Sequence, residues 1–335
     1  MSADSLLTSI ASDWQAQLRD CFSRGQDLLD FLGLAAQDVG CSDEAASDFP
    51  VKVPQSFARR MRRGDPHDPL LLQVLAQPSE QDVVPGYSAD PVGESAGVIR
   101  HPGVIHKYRG RVLLIVTGGC AVNCRYCFRR HFPYTDNLNK RAGWHEALDY
   151  VRADNSIEEV ILSGGDPLIA TDTHLAQLTA DIAEITHVRR LRVHTRVPVV
   201  LPDRVTPTLV RALTHPNLQT VMVLHANHAN EIDASVADAA GALREANITL
   251  LNQAVLLRGV NDSAEALADL SEALFAAGVL PYYLHLLDRV AGAAHFDVPE
   301  DEARTLHRSL AAQLPGYLLP KLVREEAGAA GKTLI

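Results

Sequence analysis

Short apolar runs rich in β-branched residues recur through the later part of the chain, at Arg111–Thr117, Glu159–Ser163, Arg190–Thr195, Gln219–His225, Thr249–Val255 and Leu280–Leu286. Each has the length and composition of a buried strand. Between them lie stretches with apolar residues at helical spacing, such as Thr173–Ile185, Ala234–Ala246 and Ala264–Ala277. After a longer first unit the strands return about every thirty residues, the length of a βα repeat. Six such units predict an α/β fold, a partial (β/α)6 TIM-like barrel with its site at the C-terminal ends of the strands. A doubly wound sheet has the same rhythm and stays open as the alternative.

The first stretch, residues 1–95, reads differently. Leu6, Leu7, Ile10, Trp14 and Leu18 recur at helical spacing, the stripe of a helix packed on something larger. Ser42 to Asp48 is small and acidic and reads as a loop. Ser56 is placed to cap a short helix running to Met61, and Asp68-Pro69 makes a good N-cap and first helical residue. The Pro- and Gly-containing run Val84–Gly93 reads as a linker into the core. This divides the chain into an N-terminal helical extension (1–95), the barrel (96–290) and a C-terminal segment (291–335). No chemistry is expected from the extension itself.

Composition narrows the class. The 335 residues suffice for a full α/β core, and 47% hydrophobic with 21% charged residues is ordinary for a globular protein. A net charge of −10, from 31 basic and 41 acidic residues, argues against a nucleic-acid surface. MSADSLLTSIASDW lacks the basic and apolar regions of a signal peptide, and no apolar run reaches membrane-spanning length. Five cysteines, three of them clustered, fit a reducing cytoplasm better than a disulfide framework, and Cys21 and Cys41 read as inert.

The clustered three are Cys120, Cys124 and Cys127, in a C-x3-C-x2-C spacing on the loop leaving the first strand. Structural zinc wants four ligands, and no fourth stands nearby in a usual pattern. An iron–sulfur cube normally takes four cysteines, so three would leave one iron open. After the second strand comes the glycine turn Ser163-Gly164-Gly165-Asp166, whose backbone could meet a small polar ligand. Thr195-Arg196 follows the third strand, His225 to Glu231 the fourth, and Asn252-Gln253 lies in the fifth.

These blocks together carry a resemblance. GGCAVNCRYCFRRHFPY from Gly118, LSGGDPL from Leu162, LLNQAVLLRGVND from Leu250, PYYLHLLDRVAGAAHF from Pro281 and GYLLPKLVRE from Gly316 resemble the lysine 2,3-aminomutase family, enzymes that use S-adenosylmethionine (SAM) in radical chemistry together with pyridoxal 5′-phosphate (PLP). Within it the chain is most similar to the short branch of the elongation factor P (R)-β-lysylation pathway, a ranking that rests on the short C-terminal stretch. The resemblance implies a radical-SAM barrel with a 4Fe-4S cluster on Cys120, Cys124 and Cys127. It also implies cofactor contacts from Ser163, Gly164, Gly165, Asp166, Arg196 and Gln253.

It further implies that Lys332, in Gly331-Lys332-Thr333, is the catalytic lysine that binds PLP, although Leu334 stands where the family has proline. Arg111, with Lys107 and Tyr108 beside it, matches the PLP-phosphate region. Arg129 matches the arginine that grips the substrate carboxylate, and Asp288 a carboxylate that holds the distal ammonium of lysine. Glu325 stands where the family has an aspartate in that same role, which shifts the ammonium anchor. The implied activity is isomerisation: a radical made from SAM takes hydrogen from C3 of lysine bound to PLP, and the amine moves from C2 to C3. The implied partners are lysine, an electron donor, and elongation factor P with its ligase. An aminomutase of free lysine metabolism, and a non-catalytic iron–sulfur or zinc protein, remain the competing readings.

Overall fold

The computed structural model describes residues 13–94, 98–134 and 143–335. Within them one sheet of ten strands runs in strict chain order. β1 (Ile99–His101) and β2 (Val104–Tyr108) are antiparallel and lead into β3 (Arg111–Thr117). β4 (Glu159–Gly164), β5 (Arg190–Thr195), β6 (Gln219–Leu224), β7 (Thr249–Val255) and β8 (Leu280–His285) then add in parallel. A doubly wound sheet would reverse its strand order at a switch point. Sequential order is that of a barrel, and β1 and β10 do not meet among the described residues, so the barrel is open.

All six expected strands are present, to within about a residue. The sheet also holds strands the sequence pattern did not disclose. β9 (Lys321–Arg324) adds a seventh parallel strand beside β8, and β10 (Thr333–Leu334) folds back antiparallel on β9.

Alternation along each strand sorts side chains between two faces. Val112, Leu114, Val160, Leu162, Leu191, Val193, Met222, Leu250 and Leu284 belong to the main apolar core under the helices. The alternate set, including Ser163, His194, Gln253, Tyr283 and His285, faces the lumen. The intervening helices start where short polar residues cap them. Thr171 Oγ1 accepts from His174 N, Asp233 Oδ1 from Val236 N and Ser263 Oγ from Ala266 N, opening Asp172–Ala183, Ala234–Glu245 and Ala264–Ala276. Asn247 (φ 59°) and Gly278 (φ 75°) then turn the chain in left-handed conformations into β7 and β8.

Short helices make up the N-terminal layer, and Leu28, Leu29, Phe57, Leu70 and Leu71 join the same apolar core as the strands. Of the expected stripe, Leu6, Leu7 and Ile10 lie outside the described residues, while Trp14 and Leu18 fall on the helix Trp14–Arg19. Asp68 caps Pro69–Leu72 as expected, accepting from Leu70 N and Leu71 N. Two expectations fail here. Ser42 to Asp48 is not a loop but a capped helix, Asp43–Asp48: Ser42 Oγ accepts from Ala45 N at 3.1 Å, and Asp43 and Glu44 sit favourably at its positive end. Ser56 is no cap, because the helix Gln55–Ala58 starts one residue after Pro54 and the Ser56 hydroxyl instead donates to Val200 O at 2.6 Å. No helix among the described residues is long and apolar enough to cross a membrane.

Candidate active site

The cysteine loop leaves β3 and is held from behind by the N-terminal layer. Lys52 Nζ donates to Cys120 O at 2.7 Å, Asn123 N to Lys52 O at 3.0 Å, and Arg125 N to Gln73 O at 2.9 Å. Arg125 is wholly buried, bonded to Glu80 through Nε (2.8 Å) and Nη2 (2.5 Å) and to Phe49 O through Nη1 (2.5 Å). Arg130 reaches the same Glu80 at 2.9 Å, and both guanidinium groups stack over the Phe49 ring, at 4.9 and 4.8 Å. The extension therefore braces the cysteine loop from behind.

All five cysteines are free. Burial, then the neighbouring thiols, pushes Cys120 well above the usual thiol range and Cys127 up to about 11. The three thiols lie within electrostatic reach of one another, though no three metal-ligand side chains are closed into metal-binding geometry among the described residues. Three soft, mutually repelling sulfur donors with no fourth beside them suit an iron–sulfur cluster better than zinc.

The glycine turn packs directly on that loop. Gly165 N donates to Thr117 O and Asp166 N to Gly119 O, each at 2.7 Å. A Cβ on Gly164 would come within 2.4 Å of Thr117 O, and one on Gly165 within 2.0 Å of Gly119 O, so both positions exclude a side chain. The Asp166 carboxylate is engaged by the protein, accepting from Thr195 Oγ1 and Arg196 N at 2.7 Å each. Burial lifts it to about 6 even so. Arg196 donates to Cys124 Sγ and Gln73 Oε1 (both 2.7 Å), Tyr126 OH (2.8 Å) and Glu231 Oε2 (2.9 Å). Its Nε is buried without a partner, an unmet donor beside the thiol loop that fits a polar cofactor. Asn227 and Asn252 stay structural: they bond Tyr126 and Gln73, and the Ala226 backbone.

Across the lumen lies a chain of alternating charges. Arg129 is bidentate to Glu94 at 2.7 and 2.9 Å. Lys107 Nζ lies 3.4 Å from Glu94 Oε1 and 3.2 Å from Glu325 Oε1. Glu325 also accepts from Tyr108 OH at 2.8 Å and, through Oε2, from Lys332 Nζ at 2.5 Å. Burial alone would raise the Glu325 carboxyl, but Lys332, Lys107 and Tyr108 bring it down to about 2. Asp288 meets the same Lys332 and Glu325 electrostatically, and burial dominates there, lifting it to about 7.

Lys332 is not on a loose tail. It immediately precedes β10, which pairs with β9 at Thr333–Arg324 and Leu334–Val323, and its ammonium stands 5.9 Å from the Tyr283 ring. Glu325, in the run Arg324-Glu325-Glu326, is drawn inward while Glu326 stays exposed. Arg111 stacks 4.5 Å over Tyr108 and pairs with no carboxylate among the described residues, which leaves its charge suited to a phosphate. Gln253 is half-buried in β7 and pairs in register with Tyr283.

Glu94, His194 and His285 went unnoticed in the sequence. Burial, with Arg192, Lys332 and Arg129 acting on His194 and with Lys332 on His285, holds both histidines well below their usual pKa. Both are therefore neutral, and the Nε2 of each is buried without a partner. Alternate positions on β5 and β8 were the available signal for the histidines. Cavities of about 270 Å³ at Asp288 and Glu325, and about 140 Å³ at Arg129 and Glu94, flank the two ends of the chain of charges.

A model for the radical SAM superfamily matches residues 114–271. L-lysine 2,3-aminomutase of Escherichia coli (strain K12) is 49% identical over 329 residues, covering 98% of this chain and 96% of that protein. The Haemophilus influenzae protein of the same name is 49% identical over 96% of this chain and 95% of its own. That of Clostridium subterminale is 32% identical over 96% of this chain and 77% of its own.

Proposed function

Because the chain belongs to the L-lysine 2,3-aminomutase family of radical SAM isomerases, we propose that it converts L-α-lysine to β-lysine, in the R form, with a 4Fe-4S cluster, SAM and PLP. We further propose that the product is made in the cytoplasm for attachment to elongation factor P. The observation that carries the substrate assignment is the two-ended chain of charges, with a buried guanidinium at one end and paired carboxylates at the other. A molecule with a carboxylate at one end and an ammonium at the other complements it. The elongation-factor link rests on the resemblance to the short branch, and Glu325 in place of aspartate is the feature favouring a changed product hand.

Cys120, Cys124 and Cys127 would hold the cluster. The turn Ser163–Asp166, Arg196 and Gln253 would meet SAM. Lys332 would carry PLP, with Arg111 and Tyr108 at its phosphate. When bound, these groups supply a carbon-centred radical and a conjugated ring on which the migrating amine is carried. The protein orients and shields. Arg129 would take the α-carboxylate in a bidentate fork, and Asp288 with Glu325 the distal ammonium. Lys332 is itself paired with Glu325. Committing that lysine to the cofactor would release the carboxylate for the substrate. Neutral His194 and His285 add hydrogen-bonding groups to the lumen without adding positive charge.

The test is an anaerobic assay of the reconstituted protein with reductant, SAM, PLP and L-lysine, with products separated by chiral chromatography. (R)-β-lysine that needs both SAM and PLP, and that the elongation factor P ligase accepts, is the expected outcome. SAM cleavage that leaves lysine untouched would overturn the substrate, and the S product would overturn the branch.

A further inference from the structure

A guanidinium offers five N–H donors. Arg129 gives Nε and Nη2 to the two Glu94 oxygens at 2.7 and 2.9 Å, and Nη1 to Ser163 Oγ at 3.0 Å and Gly164 O at 3.4 Å. Among the described residues one donor is left over, whereas a forked grip on another carboxylate needs two. The Glu94 edge is the one arranged to be exchanged. Glu94 comes from a loop residue rather than a strand, the cavity of about 140 Å³ opens on the pair, and Lys107 stands 3.4 Å from Glu94 Oε1 as a second cation. Both partners are buried, so removing one charge without a replacement is costly, while trading one carboxylate for another keeps the balance.

We propose that Glu94 is a built-in stand-in for the substrate carboxylate: it holds Arg129 aimed in the unliganded protein, then yields to the incoming carboxylate and moves onto Lys107. This rests on the reading of Arg129 as the substrate's carboxylate grip. It makes Glu94 a specificity-determining residue, because only an anion can take its place. A neutral amide of the same substrate cannot.

The experiment is calorimetry on the cluster- and PLP-loaded protein, without reductant, titrated with L-lysine and with L-lysinamide. In Glu94→Gln the Kd for L-lysine falls about tenfold, since the competing charge is gone, and the Kd for lysinamide stays put. Glu94→Asp keeps the charge but draws it back from Arg129. It shifts the lysine Kd the same way by a smaller factor, and it carries the test alone if the Gln variant does not fold. Weaker lysine binding in these variants would make Glu94 a fixed support and overturn the proposal. Equal binding of lysine and lysinamide by the unaltered protein would instead overturn the reading of Arg129 on which it stands.

Discussion

Arg125 and Arg129 lie on one loop, and each is gripped side-on by a glutamate from the layer before the barrel. Arg125 directs two of its three remaining donors to the backbone carbonyls of Phe49 and Ala45, and Glu80 is shared with Arg130 and the Gln77 backbone amide. Arg129 faces Ser163, a distant Gly164 carbonyl at 3.4 Å and a cavity, and among the described residues the Glu94 carboxylate is otherwise shared only with a lysine side chain. The same ion pair is thus a rivet in one place and a replaceable contact in the other. What separates them is the third party: backbone groups cannot leave, whereas cavities and side chains can be refilled.

Lys332→Ala removes the terminal cation of the replaceable chain and should abolish β-lysine formation together with the visible absorbance of bound PLP. Iron content should be unchanged, because the cluster loop is held by the riveted side. Loss of iron in that variant would show that the two regions are not independent. Next in size, Glu80→Gln leaves Arg125 and Arg130 buried without an anion and should cost about 3–5 kcal/mol in chemical unfolding. Glu94→Gln also strands a buried guanidinium, but one rather than two and with a cavity beside it, so it should cost less, and equal losses would erase the contrast. The smallest effect is in pH. Burial lifts Asp288 to about 7, with Lys332, Glu325, Lys107 and Glu94 facing it. Its charge grows as pH rises through 7, so the Kd for lysine should fall between roughly pH 6 and 8, by at most about tenfold. Glu325, held at about 2, is ionised throughout and adds no slope. Asp288→Asn should flatten the profile, and an unchanged slope would assign it elsewhere.

The six barrel strands were legible because short runs rich in β-branched or apolar residues return at the spacing of a βα repeat, even where polar residues alternate with them as in β5. β2 and β9 were not, since they are short, four or five residues with only two apolar positions fully buried, and they stand outside the recurring βα spacing near the sheet's margins. Lys332, Arg129 and Asp288 were found through resemblance, as nothing local marks a lysine among small residues. Glu94 had no signature at all. Its meaning comes from a partner 35 residues away, and Lys107 meets Glu325 across 218. Such pairs exist only once the sheet has wound round. Ser42 misled for the opposite reason, because its local capping signal was present and a small, acidic composition hid it.

Among the described residues the two margins of the sheet are joined by side chains, Lys107 and Tyr108 from β2 reaching Glu325 beyond β9. A seam of this kind can part without breaking any strand-to-strand ladder. The amides of β10 should therefore exchange with solvent well before those of β4 to β7, and a cofactor bound for Lys332 would enter from the side while the rest of the wall stays shut.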